Sequence, residues 1–144
     1  MMDERFLCRG KSKDNGEWVD GNLVYTRTTT LGVVTEIYTL EMRYEVIPKT
    51  VGQYTGLKDK NGKKIFEGDI VKITDRNVCF ETIAVIEFGN PNGLYNWGWQ
   101  LKPLENKPFA IEILHWVDME DSGAFIEVIG NIHDNPELLQ RSDE

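Results

Sequence analysis

Turn chemistry cuts this chain into short pieces, spaced at about the eight to twelve residues that mark all-β domains. Between the cuts lie runs rich in valine, isoleucine and threonine, which keep packing freedom on a pleated surface and lose it in a helix. Lys13-Asp14-Asn15-Gly16 reads as a turn into an extended Glu17–Tyr25, itself broken at Asp20-Gly21-Asn22. Thr26–Tyr38 is rich in threonine, valine and isoleucine, and Tyr44–Ile47 runs extended into Pro48 because a residue before proline avoids the helical region. Asn61-Gly62 asks for positive φ at both centres of a type I′ turn. Glu67-Gly68-Asp69 turns the chain into Ile70–Thr74. Thr82–Phe88, the loop Gly89–Gly93, Tyr95–Leu101, a loop bracketed by Pro103 and Pro108, the turn Asp118–Gly123 and Ala124–Ile132 follow. Phe109–Val117 reads as strand through Ile111 and Ile113, although Phe109, Ile113 and Trp116 also fall at helical spacing. One short helix begins after Asn135, a residue able to cap it, with Pro136 at the first helical position.

The expected fold is mostly β (a β-rich α+β chain), built of SH3-like barrel or small β-barrel or sandwich elements with a short C-terminal helix. Glu67-Gly68-Asp69-Ile70-Val71-Lys72-Ile73 reads like the start of a strand in SH3-like barrels. With 144 residues and no linker, repeat or low-complexity stretch, residues 1–144 are expected to form one domain. A chain this long buries enough surface to hold a core without disulfide or metal. No apolar run approaches a membrane span, and the charged Met1–Arg5 lacks the core of a signal peptide. Two cysteines, Cys8 and Cys79, make no disulfide framework and point to a reducing cytoplasm. Cys79, in Val78-Cys79-Phe80, reads as a buried, inert thiol.

Charge is uneven. Residues 1–104 hold 14 acidic and 14 basic side chains, whereas residues 105–144 hold 10 acidic and 2 basic, which is the whole net −8. The acids are spread between apolar residues, as on a solvated surface rather than a tail.

Two long segments carry a resemblance. Q-Y-T-G-L-K-D-K-N-G-K-K-I-F-E-G-D-I-V at 53–71 and E-V-I-G-N-I-H-D-N-P-E-L-L at 127–139 resemble the hallmark blocks of the YopX-like phage and prophage proteins. Phe6–Tyr25, with Arg9-Gly10-Lys11 and Glu17-Trp18-Val19-Asp20-Gly21, resembles that family's N-terminal block. His133 stands where an aromatic residue such as tyrosine is expected. The resemblance implies a mostly β fold in the cytoplasm of a bacterial host, with no catalytic residues to carry over. Gly56, Gly62, Gly68 and Gly130 fit turns or close approaches, and Ile65, Phe66, Ile70 and Val71 are core candidates.

Chemistry finds little footing. Cys8, Cys79, His115 and His133 have no metal-ligand spacing, so no metal is expected, and His115 reads as a core or rim histidine. Ser12, Ser122 and Ser142 sit in charged or turn contexts with no nucleophile elbow. Glu67 and Asp69 flank a glycine, a pattern of turn chemistry more than of an acid–base pair. No phosphate loop or dinucleotide fingerprint appears, so no cofactor is expected and no catalytic residue is assigned.

Two constellations remain. Lys58, Lys60, Lys63 and Lys64 surround one turn, where they could contact phosphates or simply keep a hairpin tip soluble and its edge unpaired. Tyr95, Trp97, Trp99 and Leu101 alternate with Asn96, Gly98 and Gln100. On a strand this places the aromatics on one face, as core, subunit interface or stacking platform, with Gln100 on a solvent-facing side. The expected function is non-enzymatic binding of a protein partner or of a second copy. The alternative is a nucleic-acid-binding module using the Lys58–Lys64 turn and the Tyr95–Trp99 strand.

Overall fold

The structure, a computed structural model, describes residues 4–93, 97–105, 109–117 and 123–140, apart from the side chain of Arg5. Tyr95, Pro108, Ser122, Ser142 and the turn over 118–122 lie outside the described residues. The chain divides into two compact units, Met1–Gly56 and Leu57–Glu144. It is mostly β, and the described residues form two antiparallel sheets and only short helices.

In the first unit, β1 (Leu7–Lys11) pairs with β2 (Trp18–Thr28), β2 with β3 (Gly32–Tyr38), and β3 with β4 (Arg43–Glu45). The turn at Lys13–Gly16 forms as expected, with the Gly16 N–H donating to the Ser12 carbonyl at 2.9 Å. The expected break at Asp20-Gly21-Asn22 does not occur. β2 runs through it because Asp20 and Gly21 pair with Arg9 and Cys8, and Asn22 pairs with both Leu7 and Tyr38. Ladder pairing on the flanks overrides the local turn preference. The end of β1 then meets the end of β4. Lys13 N–H donates to the Glu45 carbonyl at 3.0 Å, Ile47 N–H donates to the Lys11 carbonyl at 2.9 Å, and Ser12 bridges Val46. The four strands therefore close on themselves there, around the fully buried Ile37 and Val46. β5 (Gly52–Lys58) begins against the other edge of β1, with Gln53 opposite Cys8.

The second unit opens on the far end of β5 and its hairpin partner β6 (Lys64–Phe66). β7 (Asp69–Asp75), β8 (Phe80–Gly89), β9 (Gly98–Pro103) and β10 (Ala124–Asn131) form a sheet in the order β10-β7-β8-β9. One face of that sheet presents Val71, Ile73, Ala84, Ile86, Leu101, Ala124 and Ile126 to a core completed by Ile65, Ile113 and Trp116. The core candidates Ile65, Phe66, Ile70 and Val71 are all buried.

The strand expected over Phe109–Val117 is corrected. Leu101 N–H donates to the Ile111 carbonyl at 2.7 Å and Gln100 bridges Glu112, after which the chain turns into α1 (Leu114–Val117). The reason is spacing. Ile113 and Trp116, three apart, both enter the core, and the Trp116 Nε1–H donates to the Ala110 carbonyl at 2.7 Å. The C-terminal turn, Pro136–Leu139, is 3₁₀, and Asn135 does not cap it through its side chain. That side chain points back instead, its Oδ1 accepting from the Asn131 N–H at 3.2 Å. A Cβ on Gly130 would stand 2.5 Å from the same Oδ1, so glycine is what leaves room for the loop.

Candidate functional site

The lysine turn is a hairpin, but not of type I′. Asn61 does not have positive φ, whereas Gly62 does at 82°. Gly62 N–H donates to the Asp59 carbonyl at 3.0 Å and Asp59 N–H to the Lys63 carbonyl at 2.8 Å. That is a type I turn followed by a left-handed glycine, the usual three-residue hairpin loop. The buried Asp59 selects it. Its Oδ1 accepts from the Asn61 and Lys63 N–H groups, and its Oδ2 accepts from the Val128 N–H, each at 2.9 Å. One carboxylate thus locks the turn and ties it to β10.

This arrangement aims the lysines. Lys58, Lys60 and Lys63 are exposed and Lys64 is half-buried. Lys60 Nζ lies 3.7 Å from Glu127 Oε2 and 4.3 Å from the centre of the Phe125 ring. Lys72 Nζ reaches Glu127 Oε1 at 4.0 Å, and the Arg76 guanidinium stands 5.0 Å from the centre of the Phe125 ring. Three cations therefore gather around one aromatic ring and one carboxylate. Such partly exposed ion pairs contribute about 0–1 kcal/mol each, so they hold the group loosely. The sequence reading missed Glu127, Phe125, Lys72 and Arg76 as members. The signal available was a lone glutamate inside an otherwise apolar strand.

The aromatic strand is only partly what alternation implies. Trp99 is half-buried, packs against the core, and meets Phe88 edge-on with centroids 4.9 Å apart. Trp97 is 77% exposed and Phe88 59% exposed, so Trp97 is no core residue. Gln100, expected to face solvent, is 1% exposed. The segment at Ile111–Glu112 runs along the outer edge of β9, and Asn92 Nδ2 donates to Gln100 Oε1 at 3.2 Å from the preceding loop. Tyr95 lies outside the described residues.

The structure does not bring the lysine and aromatic groups together. Phe88 opposite Trp99 and Ile86 opposite Leu101 share the core side of the sheet, whereas Phe125 and Glu127 sit opposite Thr74 and Lys72 on the other side. β10 and β9 are also the two outer strands. The two clusters occupy opposite faces and diagonal corners.

The residues weighed for chemistry have other duties. Asp69 is buried, with Oδ2 accepting from the Phe66 N–H at 2.8 Å. His115 is exposed and lies edge-on to Trp116 at 5.0 Å. Cys79, expected to be buried, is exposed in the β7–β8 turn with a φ of 52°. The turn lifts Val78 and Cys79 away from the sheet, and Phe80 is the first side chain to return to the core. Ser12 is buried and its Oγ accepts from the Asp14 N–H at 3.2 Å. Among the described residues no three His, Cys, Asp or Glu side chains are grouped to hold a metal ion. No helix among them is long and apolar enough to cross a membrane.

Residues 7–140 match the family described as YopX protein, and the chain belongs to that family. Among solved structures it is similar to protein EF1440 from Enterococcus faecalis, at 23% identity and a TM-score of 0.46, over 92% of this chain and 96% of that one. No curated protein matches it. The segments that carried the family resemblance prove to be structurally interlocked. Asn61 Nδ2 donates to Glu127 Oε2 at 3.2 Å, Ile132 N–H donates to the Gly68 carbonyl at 2.9 Å, and Asp59 holds Val128.

Proposed function

We propose that this protein acts by binding rather than by catalysis, as a phage or prophage protein in the bacterial cytoplasm, and that a protein partner seats on the aromatic end of β8 and β9. The observation that carries this reading is the exposure of Trp97 and Phe88 beside the half-buried Trp99. Tryptophan left in water forgoes a large burial energy, and it is enriched among the residues that dominate protein interfaces. The patch also adjoins the core, so a partner there would extend a packed surface rather than build one. The test compares wild type with Trp97→Ala in recovery of partners from induced cells. The variant should keep its melting temperature within about 2 °C, since exposed substitutions cost little, and lose the bound protein. An unchanged set of bound proteins refutes the assignment.

A second reading, nucleic-acid binding, draws support from Lys60, Lys72 and Arg76 around Phe125. It ranks lower because Glu127 sits among the cations and the net charge of −8 repels polyanions at long range. Binding through Lys58, Lys60, Lys63 and Lys64 would fall steeply with salt and weaken on their replacement by glutamine. Absence of binding to single-stranded DNA or RNA at low salt ends this reading.

A further inference from the structure

The β2–β3 hairpin outruns the strands beside it. β1 pairs with β2 only as far as Asn22, and β4 pairs with β3 only as far as Glu36. Beyond those points Tyr25 to Thr28 face Thr35 to Gly32, and Val46 adds a single bond, to the Thr35 carbonyl at 2.9 Å. Among the described residues, the outer edge of β2 from Val24 to Thr28 has no backbone partner. Tyr25, Leu31 and Val33 stand exposed along this arm.

A bare strand edge recruits another strand, and proteins usually blunt such edges with lysine, proline or a bulge. Val24–Thr28 has no lysine, proline or register shift, and Arg27 is its one charge. Asn22 to Thr35 contains a single charged residue, Arg27, in a chain of net charge −8. That neutrality selects the occupant. Two copies of an acidic chain repel, and they meet best along a segment with no acid of its own; the nearest, Glu36, is mostly buried, accepts from the Thr26 hydroxyl at 3.0 Å and lies 3.9 Å from Arg43 Nε. A two-fold axis also sets an edge against itself, where like charges directly opposite would destabilise the pair and tyrosine, valine and threonine pairs stabilise it. An axis centred on Tyr25 or Thr26 places Arg27 opposite Leu23 or Tyr25, never opposite itself. We infer that the outer edge of β2, Val24–Thr28, pairs antiparallel with the same edge of a second copy to make a homodimer. This surface is separate from the aromatic end of β8 and β9.

The test is the mass of the intact chain by sedimentation equilibrium over a range of concentrations. Wild type should give the mass of two chains. Tyr25→Lys should lower the association constant at least about tenfold, because it replaces apolar burial with facing charges, while far-ultraviolet circular dichroism stays unchanged. Tyr25→Phe and Trp97→Ala should remain dimeric. A wild type that stays a single chain at every concentration overturns the inference. So does a dimer indifferent to Tyr25→Lys, or one lost in Trp97→Ala alone, which would move the self-contact to the aromatic end.

Discussion

Replacing Asp59 with alanine should cost about 3–4 kcal/mol of folding stability, a sum that follows from its three acceptor bonds. The Val128 N–H, 69 positions along the chain, lies inside β10 in a part-buried bond and loses its only side-chain acceptor once the carboxylate is gone. Leaving such a donor unpaired costs about 1–3 kcal/mol. The Asn61 and Lys63 N–H groups lie at an exposed tip and can be rehydrated, so each loses about 0.5–1 kcal/mol. Asp59→Asn should cost less, about 1.5–2 kcal/mol. Its remaining carbonyl oxygen can serve the turn, but its NH₂ would face the Val128 N–H, donor against donor. Urea unfolding of the three proteins measures both steps, and the slope with denaturant should not change because the same surface is exposed. Hydrogen exchange should locate the loss at Val128 and in the turn. An alanine variant within about 1 kcal/mol of wild type, or an asparagine variant as unstable as alanine, would refute the reasoning.

Trp116→Ala should cost about 3–5 kcal/mol in thermal or denaturant melts, since the ring is buried between Phe80 and Phe109 with its N–H bonded to Ala110; a cost under about 1 kcal/mol would place it outside the core. Burial pushes the Tyr54 phenol above its ordinary value of 10.0, and the Glu4 carboxylate adds to the shift. The native state then holds this proton after the unfolded chain has released its own, so the contribution is whole below about pH 10 and is lost as pH rises through the folded value. Tyr54→Phe should flatten that alkaline decline in stability, and an unchanged slope would count against the burial.

The β class was legible because turn residues and β-branched runs act locally. Lys13–Gly16, Gly62 and Asn90–Gly93 all mark turns in the structure. Errors arose where partners distant in sequence decide. Asp20-Gly21 reads as a break until β1 is laid along β2. The turn at Asn61-Gly62 reads as type I′ until the side chain of Asp59 is seen to organise it. Ile113 and Trp116 carried the helical signal at Phe109–Val117, but Ile111 and Ile113 argued equally for a strand, and only the shared core settles the matter. Gln100 appears polar and therefore outward, yet its cover comes from Asn92 and from the segment at Ile111–Glu112. The lysine cluster was visible, whereas Glu127, 66 positions from the Asn61 amide it accepts from, was not. Nothing in either segment announces the other until β10 pairs with β7.

That long reach has a consequence for biosynthesis. The closure of Ser12 on Val46 involves only residues that leave the ribosome early, so the first unit can mature while the rest is still being made. The lysine hairpin cannot. Asp59 waits for Val128, and β7 waits for β10, so the second unit stays incomplete until β10 has been translated. During that interval Val71 and Ile73 lack the strand that covers their flank, and nascent chains are most exposed to mispairing and to chaperone capture at that stage. A ribosome stalled short of residue 124 would therefore display a finished first unit and an open, sticky second one.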